Sequence, residues 1–205
     1  MLDKLINQNV AITGHSGGIG SALERAFVSR GFSAVGFSLD NGYDLAKTDD
    51  IKRIINEAEC CAVFVNCAEY GFAQTELLYG IAKRWRKTPN GRAIINISST
   101  SGDGNYDFLH PYAVQKSSLD RAAYQVWAAI PEIRIMTIRP GIVDTRMSRK
   151  YQGRKLPAER IAEAAMWMLS QPEDTLVREI SIMPSGPEAP GVYGNRSRFR
   201  RNENE

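Results

Sequence analysis

One stretch constrains this 205-residue chain more than any other. Val10-Ala11-Ile12 is an apolar run that reads as a buried strand. Thr13-Gly14-His15-Ser16-Gly17-Gly18-Ile19-Gly20 follows it, and Ser21 to Arg30 then reads as a helix with Leu23, Ala26 and Phe27 on one face. Glycines at such a turn let the backbone bend tightly and approach a phosphate group. The helix N-terminus adds free N–H groups and a positive dipole. Strand, glycine-rich turn and helix in that order are the setting of a dinucleotide site.

The rest of the chain continues the alternation. Further strands are expected at about Ala34–Ser38, Cys61–Val65, Arg92–Ile97, Ile133–Arg139 and Glu179–Met183, after a first at Asn9–Thr13. Helices are expected at about Gly18–Arg30, Thr48–Ala58, Gln74–Arg86, Tyr112–Ala129 and Pro157–Leu169. Such a pattern implies an α/β fold: a single doubly wound parallel sheet, Rossmann-like, with helices on both faces. Residues 1–185 read as one dinucleotide-binding and catalytic domain. Residues 186–205 are polar, rich in arginine, and read as a flexible tail.

Composition narrows the function classes. Hydrophobic residues make up 43% and charged residues 24%, ordinary for a globular domain. The net charge of +3 is too small to argue for nucleic acid, and no aromatic-basic repeats suggest a strand-binding groove. No apolar run nears the roughly 20 residues needed to cross a membrane. Met1 to Asn7 lacks the apolar core of a signal peptide, so the expected location is the cytoplasm. Cys60, Cys61 and Cys67 fit a reducing compartment and read as buried small hydrophobes. His15 and His110 have no partners at metal-ligand spacing. His15 is placed to reach a cofactor's phosphates. His110 reads as flanking a helix start at Pro111.

Three further motifs carry chemistry. Tyr112 and Lys116 lie one helical turn apart and share a face. A free tyrosine has a pKa of about 10, and a neighbouring cation brings the phenol toward the working range. Ser98 and Ser99 end the apolar run Ala93-Ile94-Ile95, where a parallel sheet opens its ligand crevice. Arg139-Pro140-Gly141-Ile142-Val143-Asp144-Thr145 follows the strand-like stretch from Ile133 to Ile138.

Together these residues resemble the short-chain dehydrogenase/reductase family in compact form, from about Val10 to Pro184. Thr13 to Gly20 matches that family's TGxxxGxG loop. Ser99, Tyr112 and Lys116 match its serine and YxxxK. Arg139 to Thr145 matches its proline-glycine segment, and Val65-Asn66-Cys67-Ala68 partly matches its asparagine-alanine-glycine motif. The resemblance implies hydride transfer between NAD or NADP and a small alcohol or carbonyl compound. Ser99 would polarise the substrate oxygen, and Tyr112 would act as general acid or base. Lys116 would lower the tyrosine pKa and hold the nicotinamide ribose. The implied cofactor contacts are Gly14, His15, Ser16, Gly18, Ile19, Gly20, Ser38, Asp40, Asp44, Leu45, Asn66, Ala68, Tyr112, Lys116, Pro140 and Ile142. No metal is implied. The resemblance also implies a homodimer or homotetramer, built on the helix carrying Leu119, Ala122, Ala123, Val126 and Trp127.

The chain departs from the family in several places. The turn Leu39-Asp40-Asn41-Gly42 stands where relatives have a helix and a third strand, so both are expected to be shortened or missing. No asparagine occurs between Tyr70 and Thr88, where relatives often carry a catalytic one; Gln74 is a candidate substitute. Glu69 replaces a glycine, and could face the nicotinamide ribose or bend into solvent. Ser38 suits a 2′-phosphate whereas Asp40 repels one. With no arginine or lysine in that turn, the balance tips slightly to NAD. After Thr145 a short segment carries Arg146, Arg149, Lys150, Arg154 and Lys155, either a basic lid for an anion or a solvated loop. A different class of function also fits these residues: a nicotinamide-binding sensor or scaffold that has lost turnover.

Overall fold

The computed structural model describes residues 8–89 and 91–186. The first seven residues and the expected tail beyond Gly186 lie outside the described residues. Six strands form one all-parallel sheet: β1 (Asn9–Thr13), β2 (Ser33–Phe37), β3 (Val63–Asn66), β4 (Ala93–Ile97), β5 (Arg134–Pro140) and β6 (Glu179–Ile182). Their order is β2-β1-β3-β4-β5-β6. The helices are α1 (Gly18–Val28), α2 (Thr48–Glu57), α3 (Ala73–Trp85), α4 (Pro111–Ala129) and α5 (Ala158–Ser170). Every expected element is present, with ends displaced by one or two residues.

The strands β1, β3, β4 and β5 are buried on both faces, which is why they read as unbroken apolar runs. Side chains alternate between two cores. Val10, Ile12, Val63, Val65, Ile95 and Met136 face one, shared with Leu23 and Phe27 of α1 and with Ile161, Ala165 and Leu169 of α5. Ala11, Phe64, Ile94 and Ile135 face the other, shared with Ile54 of α2, Leu77, Ile81 and Trp85 of α3, and Leu119 of α4. The sheet order reverses between β1 and β3, so a crevice opens at their carboxyl ends.

The trimmed region is as short as the sequence implies. A 3-10 turn, Leu39–Asn41, follows β2, which is one of the two edge strands. The Asn41 side-chain amide donates to Gly36 O at 2.7 Å, and the Asn41 side-chain oxygen accepts from Ser38 N at 2.8 Å. One turn residue thus satisfies groups of the exposed edge that a further strand would otherwise cover. Phe37 and Tyr43 pack edge to face at 4.8 Å. Arg53 lies over the Tyr43 ring at 4.5 Å, and the Tyr43 hydroxyl donates to Glu57 at 2.7 Å.

Two expectations need correction. Of the cysteines, Cys61 is buried and Cys67 half-buried, but Cys60 is exposed, because it closes a 3-10 turn ahead of β3. All three are free thiols. On α4, Leu119, Ala122, Ala123 and Val126 are spent inside the chain's own second core. The large apolar residues that α3 and α4 leave exposed are Tyr79, Val114 and Tyr124.

Candidate active site

The glycine-rich turn leaves β1 at Thr13. Gly14 has φ +72°, a left-handed conformation that favours glycine. A β-carbon there would press on Ala68 at 3.2 Å, so the turn lies directly against the loop after β3. Gly14 N donates to Phe37 O at 2.7 Å. The Thr13 hydroxyl accepts from Cys67 N at 2.9 Å and from Ala68 N at 3.0 Å. The turn is therefore tied to both neighbouring strands. Gly17 is the N-cap of α1 in extended geometry, and no side chain caps the helix. The first-turn N–H groups of α1 thus have no side-chain partner, as anion binding requires. Thr145 rests on the same turn, its methyl 3.0 Å from where a Gly18 β-carbon would stand.

The remaining expected cofactor positions divide into two groups. His15 lays its ring on Gly36 of the edge strand, and its Nδ1 is buried without a hydrogen-bond partner. Ser38, buried at the end of β2, donates its hydroxyl to Asn41 at 3.2 Å, while Asp40 beside it is exposed. Pro140 ends β5 and Ile142 O accepts from Leu156 N at 2.8 Å, so both line the start of the segment leading to Thr145. Three positions make contacts within the chain. The Asn66 side chain is fully buried, and its amide donates to Gln74 O at 2.8 Å and to Asn96 at 3.1 Å, bracing the strand ends. The Asp44 carboxylate accepts from Ala46 N at 2.9 Å, capping its own turn, and Leu45 packs on the second core.

Ser99 sits just beyond β4 at the carboxyl edge. It caps a 3-10 turn, Thr100–Asp103, by accepting from Ser101 N at 3.1 Å. Tyr112 and Lys116 occupy the first turns of α4. Pro111 starts that helix, and His110 caps it by accepting from Ala113 N at 3.3 Å. The Lys116 ammonium is 5.3 Å above the Tyr112 ring, and its residue is 3% exposed. It donates to Gln74 Oε1 at 2.6 Å and to Ile97 O at 3.1 Å.

The electrostatics differ from the sequence reading. Burial pushes the Tyr112 phenol up to about 12; a hydrogen bond with Ser99 opposes this, and the Glu69 carboxylate adds to it. Burial also depresses the Lys116 ammonium to about 8, with Glu69 pulling the other way. The lowering of Tyr112 by Lys116 is thus not found. Lys116 faces the ring and is held by carbonyl oxygens, and loss of hydration dominates both groups. In the basic segment, Lys155 donates to Ser148 O at 2.8 Å and lies 3.7 Å from Asp144, whereas Arg146, Arg149, Lys150 and Arg154 are exposed. A cleft of about 600 Å³ lies beside the glycine turn, between Ser21, Arg25, Asp144, Lys155 and Glu159, and its lining includes none of Ser99, Tyr112 and Lys116.

Sequence reasoning passed over two features. Thr13 binds two N–H groups of the β3 loop, a role its place before Gly14 only hints at. Arg139 gathers Asp103, Asp120 at 3.3 Å and Glu179 at 3.0 Å. It joins the turn after Ser99 to α4 and β6, and no local spacing signals it. Among the described residues there is no metal-binding cluster and no helix long and apolar enough to cross a membrane.

No family model matches the chain. An uncharacterized oxidoreductase of Staphylococcus haemolyticus is 28% identical over 228 aligned positions, covering 87% of this chain and 98% of that protein. One from Staphylococcus epidermidis is 29% identical over 96 residues, and that match spans 44% of this chain and only 42% of the relative. Among solved structures, a short-chain dehydrogenase from Burkholderia cenocepacia in complex with NADP aligns with a TM-score of 0.74 at 16% identity, covering 86% of this chain and 88% of that one. A 4-hydroxyisoleucine dehydrogenase complexed with NADH gives 0.71 at 17% identity, with 86% and 97% covered. The likeness read from the motifs therefore extends to three dimensions: this chain has the short-chain dehydrogenase/reductase fold.

Proposed function

We infer that the protein is an oxidoreductase of the short-chain dehydrogenase/reductase type, transferring a hydride between a nicotinamide cofactor and an alcohol or carbonyl compound. One observation carries the reading. Ser99, Tyr112 and Lys116 converge at the carboxyl edge of the sheet that also holds an uncapped, glycine-lined helix N-terminus. The cofactor fits the residues present: the first turn of α1 offers free N–H groups to a pyrophosphate, and a β-carbon at Gly17 would meet nothing within 4 Å. When bound, that group supplies the hydride chemistry.

The chain's own residues handle the oxygen and its proton. Ser99 orients the substrate oxygen. Tyr112 is protonated at neutral pH, its pKa being about 12, and so is equipped to donate to a carbonyl oxygen as it becomes an alcohol. Lys116, held 5.3 Å above the Tyr112 ring, would hold the nicotinamide ribose. NAD is the expected form: the Ser38 hydroxyl is engaged by Asn41, and Asp40 adds a carboxylate to the same turn. A homodimer or homotetramer, using the exposed Tyr79, Val114 and Tyr124, and a cytoplasmic location complete the proposal.

Titration with NADH and NADPH, followed by nicotinamide fluorescence, tests the cofactor and its form; a screen of carbonyl substrates tests turnover. Tyr112→Phe should abolish turnover and leave cofactor affinity within about twofold. Turnover that survives this change would refute Tyr112 as the proton donor. Glu69, whose charge opposes ionisation of Tyr112, favours the second reading of a sensor or scaffold. Tight cofactor binding with no turnover on any alcohol or carbonyl would select that reading.

A further inference from the structure

The partner of Lys116 is a buried amide held at both ends. Gln74 is the second residue of α3 and is 4% exposed. Its amide nitrogen donates to Asn66 O at 2.8 Å and to Ile97 O at 3.0 Å, the carbonyls at the ends of adjacent strands β3 and β4. Both amide protons are thereby used. Turning the amide over would set its oxygen against two carbonyls and its NH2 against an ammonium, so the orientation is fixed by chemistry. Only Oε1 remains, and it accepts from Lys116 Nζ at 2.6 Å. The Gln74 main chain is pinned as well, since its carbonyl accepts from the Asn66 side chain at 2.8 Å. Ile97 O accepts from both Gln74 and Lys116, which closes a three-element knot of β4, α3 and α4.

We propose that Gln74 is a positioning residue for Lys116: it holds the ammonium between the ends of β3 and β4 and over the face of Tyr112, and it does so with a neutral oxygen. The inference rests on the function proposed above. Gln74 reaches the lysine by direct contact. Neutrality matters because the titratable groups around Lys116 are few. Glu69 and Cys67 follow β3, Asp120 lies one turn further along α4, and Tyr112 lies under the ammonium. None forms an ion pair with Lys116 among the described residues. A carboxylate in place of the amide would pair with the buried ammonium and hold its proton. It would also turn an oxygen toward Asn66 O and Ile97 O.

Two variants of near-equal shape test this. Gln74→Met removes all three hydrogen bonds, and Gln74→Glu keeps the shape but adds a charge. The Lys116 midpoint is followed by NMR on lysine-labelled protein, with its signal assigned through Lys116→Arg. This readout needs neither cofactor nor turnover. Gln74→Glu should raise the midpoint by at least about one unit, and Gln74→Met should lower it. In steady-state kinetics with a reducible carbonyl, both variants should lose about tenfold or more in kcat, with the pH profile moving in the direction of the midpoint and cofactor affinity nearly unchanged. Thermal unfolding reports any loss of fold separately. A Lys116 midpoint that stays within about 0.3 units in Gln74→Glu, provided that variant is folded, overturns the proposal. If the parent protein turns over no substrate, the functional reading fails, while the midpoint measurement still decides the role of Gln74.

Discussion

Replacing Gly20 by alanine probes the feature on which the fold and the site both depend. Gly20 lies in the first turn of α1, and its φ needs no glycine. Its constraint is space. An alanine β-carbon there would stand 2.0 Å from Gly14 O, 2.6 Å from Gly14 C and 3.1 Å from His15 N. Ordinary contact begins at 3.4 Å, so the turn must open by 3.4 − 2.0 = 1.4 Å. All three obstacles are backbone, and Gly14 is tied to Phe37 O and lies against Ala68, so no rotamer change relieves the clash. Overpacking of this kind costs about 1–3 kcal/mol, offset by up to about 1 kcal/mol from the helix preference of alanine. At the upper end the net loss is about 2 kcal/mol (3 − 1), which lowers Tm by roughly 4–8 °C for a chain of this size. A turn displaced by more than 1 Å also misdirects its N–H groups, so NADH affinity should fall at least about tenfold, near 1.4 kcal/mol. Gly17→Ala is the matched control for stability alone, because its β-carbon meets no protein atom within 4 Å and its φ is −163°. Calorimetry and fluorescence titration of both variants decide the matter. If Gly20→Ala matches Gly17→Ala in Tm and the parent protein in cofactor Kd, steric closure of the turn is not what holds it in shape.

Two further outcomes follow from the same geometry. Thr13→Val keeps the shape but strands the N–H groups of Cys67 and Ala68, so denaturant unfolding should show a loss of about 1–3 kcal/mol that Thr13→Ser largely restores; an unchanged midpoint would count against this tie. Lys116 has its pKa lowered to about 8 from 10.5 in the folded chain, so the unfolded chain binds the proton more tightly. Stability should therefore rise with pH between about 8 and 10.5. The destabilisation is fully present below pH 8 and is on the order of 3 kcal/mol. Lys116→Met should flatten that rise in urea unfolding series, and a parallel profile in the variant would show that the ammonium is better solvated than its burial implies.

The amino-acid sequence determined the order of elements, because periodicity, glycines and proline act locally. Asn9–Thr13 was legible to the residue as β1, and the glycine turn could be read from chemistry that needs no distant partner. Tyr112 and Lys116 share a face because a helix turns every 3.6 residues, whatever surrounds it. The shortened segment after β2 was legible too, since too few residues stand there to form a helix and a strand.

Tertiary structure alone decided how those residues behave. Gln74 and Lys116 are 42 positions apart, and nothing in their spacing says that one amide oxygen would be left to face the ammonium. The motif around Asn66 says nothing of its amide donating to Gln74 O and Asn96, which follows from the packing of β3 against β4 and α3. Arg139 finds its three carboxylates on a turn, a helix and a strand. The phenol of Tyr112 rises where its neighbouring charge was expected to lower it. A charge pattern can be read along a chain, but the loss of water that outweighs it exists only once separate elements close over the same side chain.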